Sequence, residues 1–407
     1  VVVWLLYLVL FALGICVSVA LHEAGHMLTA KAFGMKVRRY FIGFGPTLFS
    51  FRRGETEYGL KAIPAGGFCD IAGMTALDPV TPDEAPRAMW RHAVWKRVVV
   101  LSAGSITHFI LGFVILYLMA VTLGLPNYTD RPLVGGTDCA AASQDPKSFK
   151  LTPCSPNDPS PAAAAGITAG DEIVAVNGQP VATWTELVTK VRDLRGENTF
   201  VVQRGDERRT VTVDVAQVRR AAVGSVPDRD DNKVVEVGAV GIAPGGMVQF
   251  GALSAVGGTV SFTGEMFAKT WEGLMRFPEK IPAVVRAIGG AENDPERPVS
   301  VVGASVIGAD AAEQGLWEIF VLMLAALNFF VGVFNLLPLL PLDGGHIAIT
   351  LYEKVRDALR KVRGKAPGGP VDYNKLAGVT MVLVVLGGAV VLLTVTADIV
   401  NPIRISR

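Results

Sequence analysis

HEAGH, residues 22 to 26, sets two histidines four apart with a glutamate beside the first. On a helix such residues share a face, so His22 and His26 can aim two imidazole nitrogens at one point with Glu23 adjacent. That is ligand geometry for zinc, with a carboxylate placed to act as general base in amide hydrolysis. The pattern is short enough to arise by chance, and its setting gives it weight. It follows an apolar run, Val1 to Leu21, that holds no Asp, Glu, Lys or Arg. A charged side chain at the centre of a spanning helix costs about 2.5–3.5 kcal/mol on insertion scales, and a bound metal would offset much of that cost for Glu23.

Two histidines leave a catalytic zinc site one protein ligand short, because such sites take three and keep a fourth position open. The third should be another Asp, Glu or His inside an apolar stretch. Asp343, in NLLPLLPLDGGH (Asn335 to His346), is the embedded carboxylate near a matching depth. Pro338, Pro341, Gly344 and Gly345 interrupt that stretch and free the backbone to turn a side chain inward. His346 is the rival, since zinc accepts either ligand type. Asp398 falls at the far end of the last apolar stretch and suits a capping or interfacial role.

The elements that must position these groups are membrane spans. Half the residues are hydrophobic and mean hydropathy is +0.41, which soluble chains seldom sustain. Four charge-free stretches are long enough to cross a hydrocarbon core: Val1 to Leu21, Val98 to Leu123, Ile319 to Leu342 and Leu376 to Ala397. A cleaved signal peptide is the weaker reading of the first, since no basic residue precedes it and no small-residue cleavage site follows.

Residues 31 to 97 hold eleven Lys or Arg against six Asp or Glu, and residues 353 to 375 hold seven against three. By the positive-inside rule both loops face the cytoplasm. Residues 124 to 318 hold eighteen basic against twenty-five acidic residues, so this segment and both termini are expected outside the cell membrane. A net charge of +1 speaks against nucleic-acid binding. An oxidising outer compartment would let Cys139 pair with Cys154, the alternative being two free thiols.

Between the first two spans, residues 36 to 74 mix aromatic and β-branched residues with glycines and an RRGE turn, which reads as a hairpin. Non-helical backbone at membrane depth must border protein or a watery cavity, so this loop should line one. Residues 75 to 97 form a polar connection into the second span (98–123), where GSITHF carries His108. Its plain reading is a neutral histidine hydrogen-bonded to a neighbouring helix.

In the outer segment, AGD and NGQ turns flank the strand EIVAV, Trp184 to Leu194 reads as an amphipathic helix, and TFVVQRGDERRTVTVDV reads as a hairpin. The pattern resembles a PDZ domain of the bacterial protease type, spanning 124–220 with its entry loop. Residues 221 to 318 carry a stripe of Phe262, Met266, Phe267, Trp271 and Leu274. That helix lies either on the outer membrane surface or against the PDZ-like unit.

HEAGH, GFGP (Gly43 to Pro46), PAGGF (Pro64 to Phe68), the PDZ-like unit and NLLPLLPLDGG, in this order, resemble the site-2 protease family. Within it the chain looks most like bacterial four-span members, of actinobacterial type, that process anti-sigma factors. The resemblance implies a polytopic α-helical membrane protein: four transmembrane helices in cores 1–123 and 319–407, a membrane-embedded β-loop and an extracytoplasmic α+β PDZ domain. It implies Zn2+ held by His22, His26 and Asp343, and Glu23 as general base. Asn335 would contact substrate or the developing oxyanion, and Gly66, Gly67 and Phe68 would receive the substrate strand.

Expected partners are single-pass transmembrane proteins of the anti-sigma-factor kind, peptide C-termini at the PDZ domain, and the bilayer. One departure is GSITHF, where the family tends to show a proline and an asparagine. Two rival functions are a non-catalytic zinc- and peptide-binding receptor and a membrane-anchored peptidase of soluble or signal-peptide fragments.

Overall fold

Helix α1 (Val2–Ala32) carries the first apolar run past Leu21, so HEAGH lies inside the helix and not at its end. At 1.5 Å per residue its 31 residues span roughly 46 Å, more than a hydrocarbon core needs. Phe11, Ser18, His22, His26 and Ala30 are buried, at intervals of four and seven that trace one stripe. The computed structural model describes residues 2–75, 78–155, 157–205, 207–222, 232–290, 294 and 297–405.

Strands β1 (Val37–Arg53) and β2 (Thr56–Ile71) follow as one antiparallel hairpin, closed where RRGE predicts the turn. Repeated register shifts along it mark bulges that bend the ribbon. Its base is anchored on α1: Val37 and Phe41 are buried, and the Tyr40 hydroxyl donates to Ala20 O at 2.7 Å. Farther out, Phe44, Leu48, Phe49 and Phe51 are exposed. Helix α2 (Val94–Thr122) is the second apolar helix.

The chain divides into two compact units, Val1–Met119 with Leu253–Arg407, and Ala120–Ala252. The smaller contains β3 (Leu125–Pro126), β4 (Val134–Thr137), α3 (Pro161–Ala164), β5 (Glu172–Val176), β6 (Gln179–Pro180), α4 (Trp184–Asp193), β7 (Gly196–Arg204), β8 (Glu207–Ala221), β9 (Val234–Ala239), β10 (Ile242–Pro244) and β11 (Met247–Val248). Five of these strands form an antiparallel sheet in the order β6-β5-β7-β8-β9. Ile173, Phe200, Val202 and Val213 from the sheet pack on Leu187 and Val191 of α4. Thr183 caps α4 by accepting from Glu186 N–H, while the Glu186 carboxylate accepts from Ala182 N–H.

The sequence pattern closes this unit at residue 220, but the structure carries it to Ala252. Strand β9 pairs with β8, and β10 and β11 return to β4 and β3, so the edges are completed by residues far along the chain. Cys139 and Cys154 are disulfide-bonded within it, as expected, with Cα atoms 5.9 Å apart.

Helix α5 (Ala252–Ile288) contains the aromatic stripe. Part of that stripe has a partner that neither expectation named. Phe262 and Met266 are buried, and the Phe267 ring sits edge-on to Phe109 of α2 and to Phe329 of the next apolar helix, at 4.9 and 5.2 Å. The stripe therefore covers helix surface that composition alone would assign to lipid, while Trp271 stays exposed.

Helix α6 (Val301–Glu313), unforeseen in the sequence, lets Phe11 of α1 pack against Gly308 and Ala304. Helix α7 (Trp317–Asn335) then ends early. Instead of one interrupted span to Leu342, a turn over residues 336–342 leads into α8 (Asp343–Val362), which takes up part of the connection expected as loop. Helix α9 (Tyr373–Val400) completes, among the described residues, four helices long and apolar enough to cross a membrane, α1, α2, α7 and α9.

Candidate metal centre

HEAGH lies on the buried stripe of α1, and the four-residue interval turns both imidazoles the same way. His22 Nε2 and His26 Nε2 stand 3.1 Å apart. Asp343 is the first residue of α8, and its position depends on the two glycines after it. A Cβ on Gly344 would fall 2.2 Å from Leu336 O, and one on Gly345 2.7 Å from Leu339 C. Only glycine lets the first turn of α8 lie against the chain that delivers it.

Asp343 Oδ2 thereby reaches 3.4 Å from His22 Nε2 and 3.3 Å from His26 Nε2. Three donors set about 2.1 Å from one zinc ion at tetrahedral angles would stand roughly 3.4 Å apart. The triangle has the dimensions of one face of such a site, and it is buried, with His22 and His26 only 6% and 7% exposed. His26 Nδ1 lies 2.7 Å from Val100 O, an acceptor for its N–H that leaves the Nε2 lone pair facing the triangle.

A fourth wall comes from Gly104 of α2. A Cβ there would stand 2.4 Å from His26 Nε2 and 2.6 Å from His22 Nε2, filling the volume a metal requires. The donor set and this cradle both fit zinc. Sequence reasoning missed Gly104; its signal is a glycine one helical turn before His108 in an otherwise bulky span.

Glu23 follows His22 on α1, and its side chain lies against β2. A Cβ on Gly67 would come 3.0 Å from Glu23 Cγ, and the Cys69 backbone amide faces the carboxylate. Phe68 stacks on Phe41 with ring centres 5.5 Å apart. Gly66 has φ +136°, a conformation open to glycine, where a Cβ would meet the Phe44 ring. Asn335 is half-buried in the last turn of α7. The rival ligand His346 lies elsewhere: its Nδ1 is 3.4 Å from the Tyr373 hydroxyl, and among the described residues the cluster contains only His22, His26 and Asp343 as side chains of metal-ligating type.

A polar layer surrounds the cluster. His108 Nδ1 is 2.8 Å from Asn328 Oδ1, the histidine-to-helix bond expected from the sequence. Asn328 Nδ2 donates to Ser18 Oγ at 3.2 Å and to Leu324 O at 2.8 Å. Asn328 went unnoticed in the sequence, although the rule that flags intramembrane polar residues applies to it equally. Asp398, on α9, has the capping role expected of it: its Oδ2 accepts from Ser300 N–H, at the start of α6.

A model of peptidase family M50 matches residues 10–371. The chain belongs to peptidase family M50. This is the site-2 protease family, so the chain is a multi-pass membrane metalloendopeptidase with zinc as its cofactor. It is 47% identical over 404 residues to the zinc metalloprotease Rip1 of Mycobacterium bovis, covering 98% of each chain. To Rip1 of Mycolicibacterium smegmatis it is 46% identical, again over 98% of each. A putative zinc metalloprotease of Mesorhizobium japonicum is 30% identical over 400 residues, 93% of this chain and 96% of that one.

Proposed function

We propose that this M50 enzyme hydrolyses peptide bonds within the transmembrane segments of single-pass proteins, with His22, His26 and Asp343 holding the zinc and Glu23 acting as general base. The observation that carries this reading is the triangle of Nε2, Nε2 and Oδ2 atoms, with both histidines buried on a helix long and apolar enough to span the bilayer and Asp343 brought to them from α8.

Zinc, when bound, supplies Lewis-acid chemistry: it acidifies water toward neutral pH and polarises a carbonyl. Glu23 takes a proton from the attacking water and returns it to the leaving amine. Asn335, at the end of α7, donates to the oxyanion of the tetrahedral intermediate, a contact of a kind worth about 3 kcal/mol.

A transmembrane substrate must first unwind, because its peptide groups are tied up in helical hydrogen bonds. Gly66, Gly67 and Phe68 of β2 offer backbone edge beside Glu23, and strand addition there would replace the lost bonds. The exposed Phe44, Leu48, Phe49 and Phe51 fit a hairpin immersed in lipid.

The smaller unit is read as the PDZ domain. A groove of about 520 Å3 runs beside α4, lined by Leu187, Val188 and Val191 and by the edge strand residues Val237 and Ala239. An extended peptide C-terminus could add to β9 there. With both basic loops cytoplasmic, this unit and the termini lie outside the plasma membrane. It would then screen substrates of the anti-sigma-factor type after an earlier extracytoplasmic cut.

The test uses the full chain reconstituted with an anti-sigma-type transmembrane substrate. Glu23→Gln should abolish cleavage while zinc stays stoichiometric, and Asp343→Ala should lose both. Cleavage surviving in Glu23→Gln removes the assignment of the base. Equal cleavage of the excised soluble peptide would favour a surface peptidase.

A further inference from the structure

A histidine that binds metal through one ring nitrogen normally donates the N–H of the other to an acceptor, which fixes its tautomer and aim. The two histidines of the cluster differ in this respect. His26 Nδ1 has Val100 O at 2.7 Å. His22 Nδ1 is buried and has no hydrogen-bond partner among the described residues.

His108 lies beside it. The two rings are 4.9 Å apart between centres, with planes inclined at 44°, and His108 is 2% exposed. Its Nε2 is likewise buried without a partner among the described residues.

The hydrogen-bond roles of His108 follow from a chain that begins on α1. The Ser18 hydroxyl donates to Gly14 O at 3.0 Å, leaving its lone pairs for the amide of Asn328. Asn328 Nδ2 spends its donors on Ser18 Oγ and Leu324 O, so its Oδ1 is the atom facing His108. His108 must then donate through Nδ1, and a neutral ring that does so carries a lone pair on Nε2. Two unmatched atoms of opposite kind are left on neighbouring rings: a buried donor on His22 and a buried acceptor on His108. Leaving both unmade is costly in a low-dielectric interior.

We propose that His108 is the partner that orients the metal ligand His22, its Nε2 accepting the His22 Nδ1–H directly after a small ring rotation or through one water. The inference rests on the reading of His22 as a zinc ligand. His108 is a positioning residue in this scheme, and Ser18 and Asn328 hold its tautomer.

Zinc affinity of the full-length protein in detergent, measured by competition with a chelator, tests the proposal without reference to activity. His108→Phe keeps the ring volume and removes the acceptor; zinc should bind 10- to 100-fold more weakly, the usual effect of losing such a partner. His108→Gln, whose amide oxygen can accept, should recover part of the loss, and the visible spectrum of the cobalt(II)-loaded protein should shift in both. His346→Phe is the control and should bind zinc as wild type does.

Affinity within twofold of wild type in His108→Phe overturns the proposal. Should that variant fail to fold, Asn328→Ala retains the ring while releasing its tautomer, and unchanged affinity there overturns it equally. His22→Ala separates the two levels. If it too leaves zinc affinity unchanged, the ligand assignment has failed; if it abolishes binding while His108→Phe does not, only the positioning role has failed.

Discussion

The backbone of Gly67 lies against the side chain of Glu23: a Cβ at that position would stand 3.0 Å from Glu23 Cγ and 3.0 Å from Phe41 O. Neither neighbour can yield easily, since one is on the turn of α1 that holds the cluster and the other is β1 backbone. Gly67→Ala should shift Glu23 by a few tenths of an ångström. The expected outcome is a fall in kcat short of the roughly 100-fold that a 1 Å misplacement can cost, with zinc content unchanged. Single-turnover cleavage beside metal analysis checks it, and a Gly67→Ala enzyme of normal rate would show that the hairpin is not seated on Glu23 in the working state.

Gly104 predicts the converse. Its absent Cβ leaves the space in front of both Nε2 atoms. Gly104→Ala should weaken zinc binding by at least about 10-fold, because a methyl group cannot share the position a metal takes about 2 Å from each nitrogen. Helix α2 itself loses nothing by the change, since alanine is the better helix former. Titration with zinc, read against unchanged helical circular dichroism, distinguishes a blocked site from a misfolded one.

The same contrasts show what a sequence discloses. The apolar helices are legible because lipid tolerates few charges, and for the same reason Glu23 and Asp343 stand out within them. Strands β5, β7 and β8 and helix α4 are legible from alternation and turn residues. Helix α6 is not: VVGASVIGADAAE is built mostly of small residues, nearly all buried, and it packs against α1, α7 and α9 without the apolar stripe and opposite polar face that announce an amphipathic helix. Strands β10 and β11 are short, and their partners β4 and β3 lie far back in the chain, so no local pattern announces them. The stripe on α5 is visible, but composition does not say whether lipid or another helix covers it. Gly104 and Gly67 matter for what they lack, and a missing side chain has no signature without its neighbours.

Arg297 and Asp398 form an ion pair at 2.7 Å whose side chains are wholly buried. Asp398 also accepts from Ser300 N–H at 2.6 Å, tying α9 to the start of α6. Removing one member of such a pair strands the other charge, at a cost of about 3–5 kcal/mol. Asp398→Ala should therefore lower the thermal midpoint in detergent sharply. The double change Arg297→Met with Asp398→Leu should restore much of it, since an apolar pair of similar volume leaves no buried charge. If the double variant is no more stable than the single, the penalty belongs to the lost cap of α6 and not to the stranded guanidinium.

Low pH should loosen the base of the hairpin through Glu84. Arg38, on β1, donates to the Glu84 carboxylate through Nε at 2.9 Å and a second nitrogen at 2.7 Å, and it also meets Asp78 at 2.9 Å. The Arg38 hydrogen bonds pull the Glu84 carboxyl down from its ordinary 4.5 to about 2, against a smaller upward push from burial. A carboxylate held low in the folded state contributes stability that is complete above its unfolded value, near 4.5, and drains away as pH falls toward 2. Hydrogen exchange at the β1 base, around Val37 to Arg39, should accordingly speed up between pH 4.5 and 2 once the intrinsic pH dependence of exchange is divided out. Glu84→Gln cannot titrate and should show a flatter dependence over that interval, starting from lower protection. Equal slopes in the two proteins would place the acid sensitivity elsewhere, on the Glu55–Arg87 pair that braces the turn, where the Arg87 hydrogen bonds hold the Glu55 carboxyl below its ordinary value.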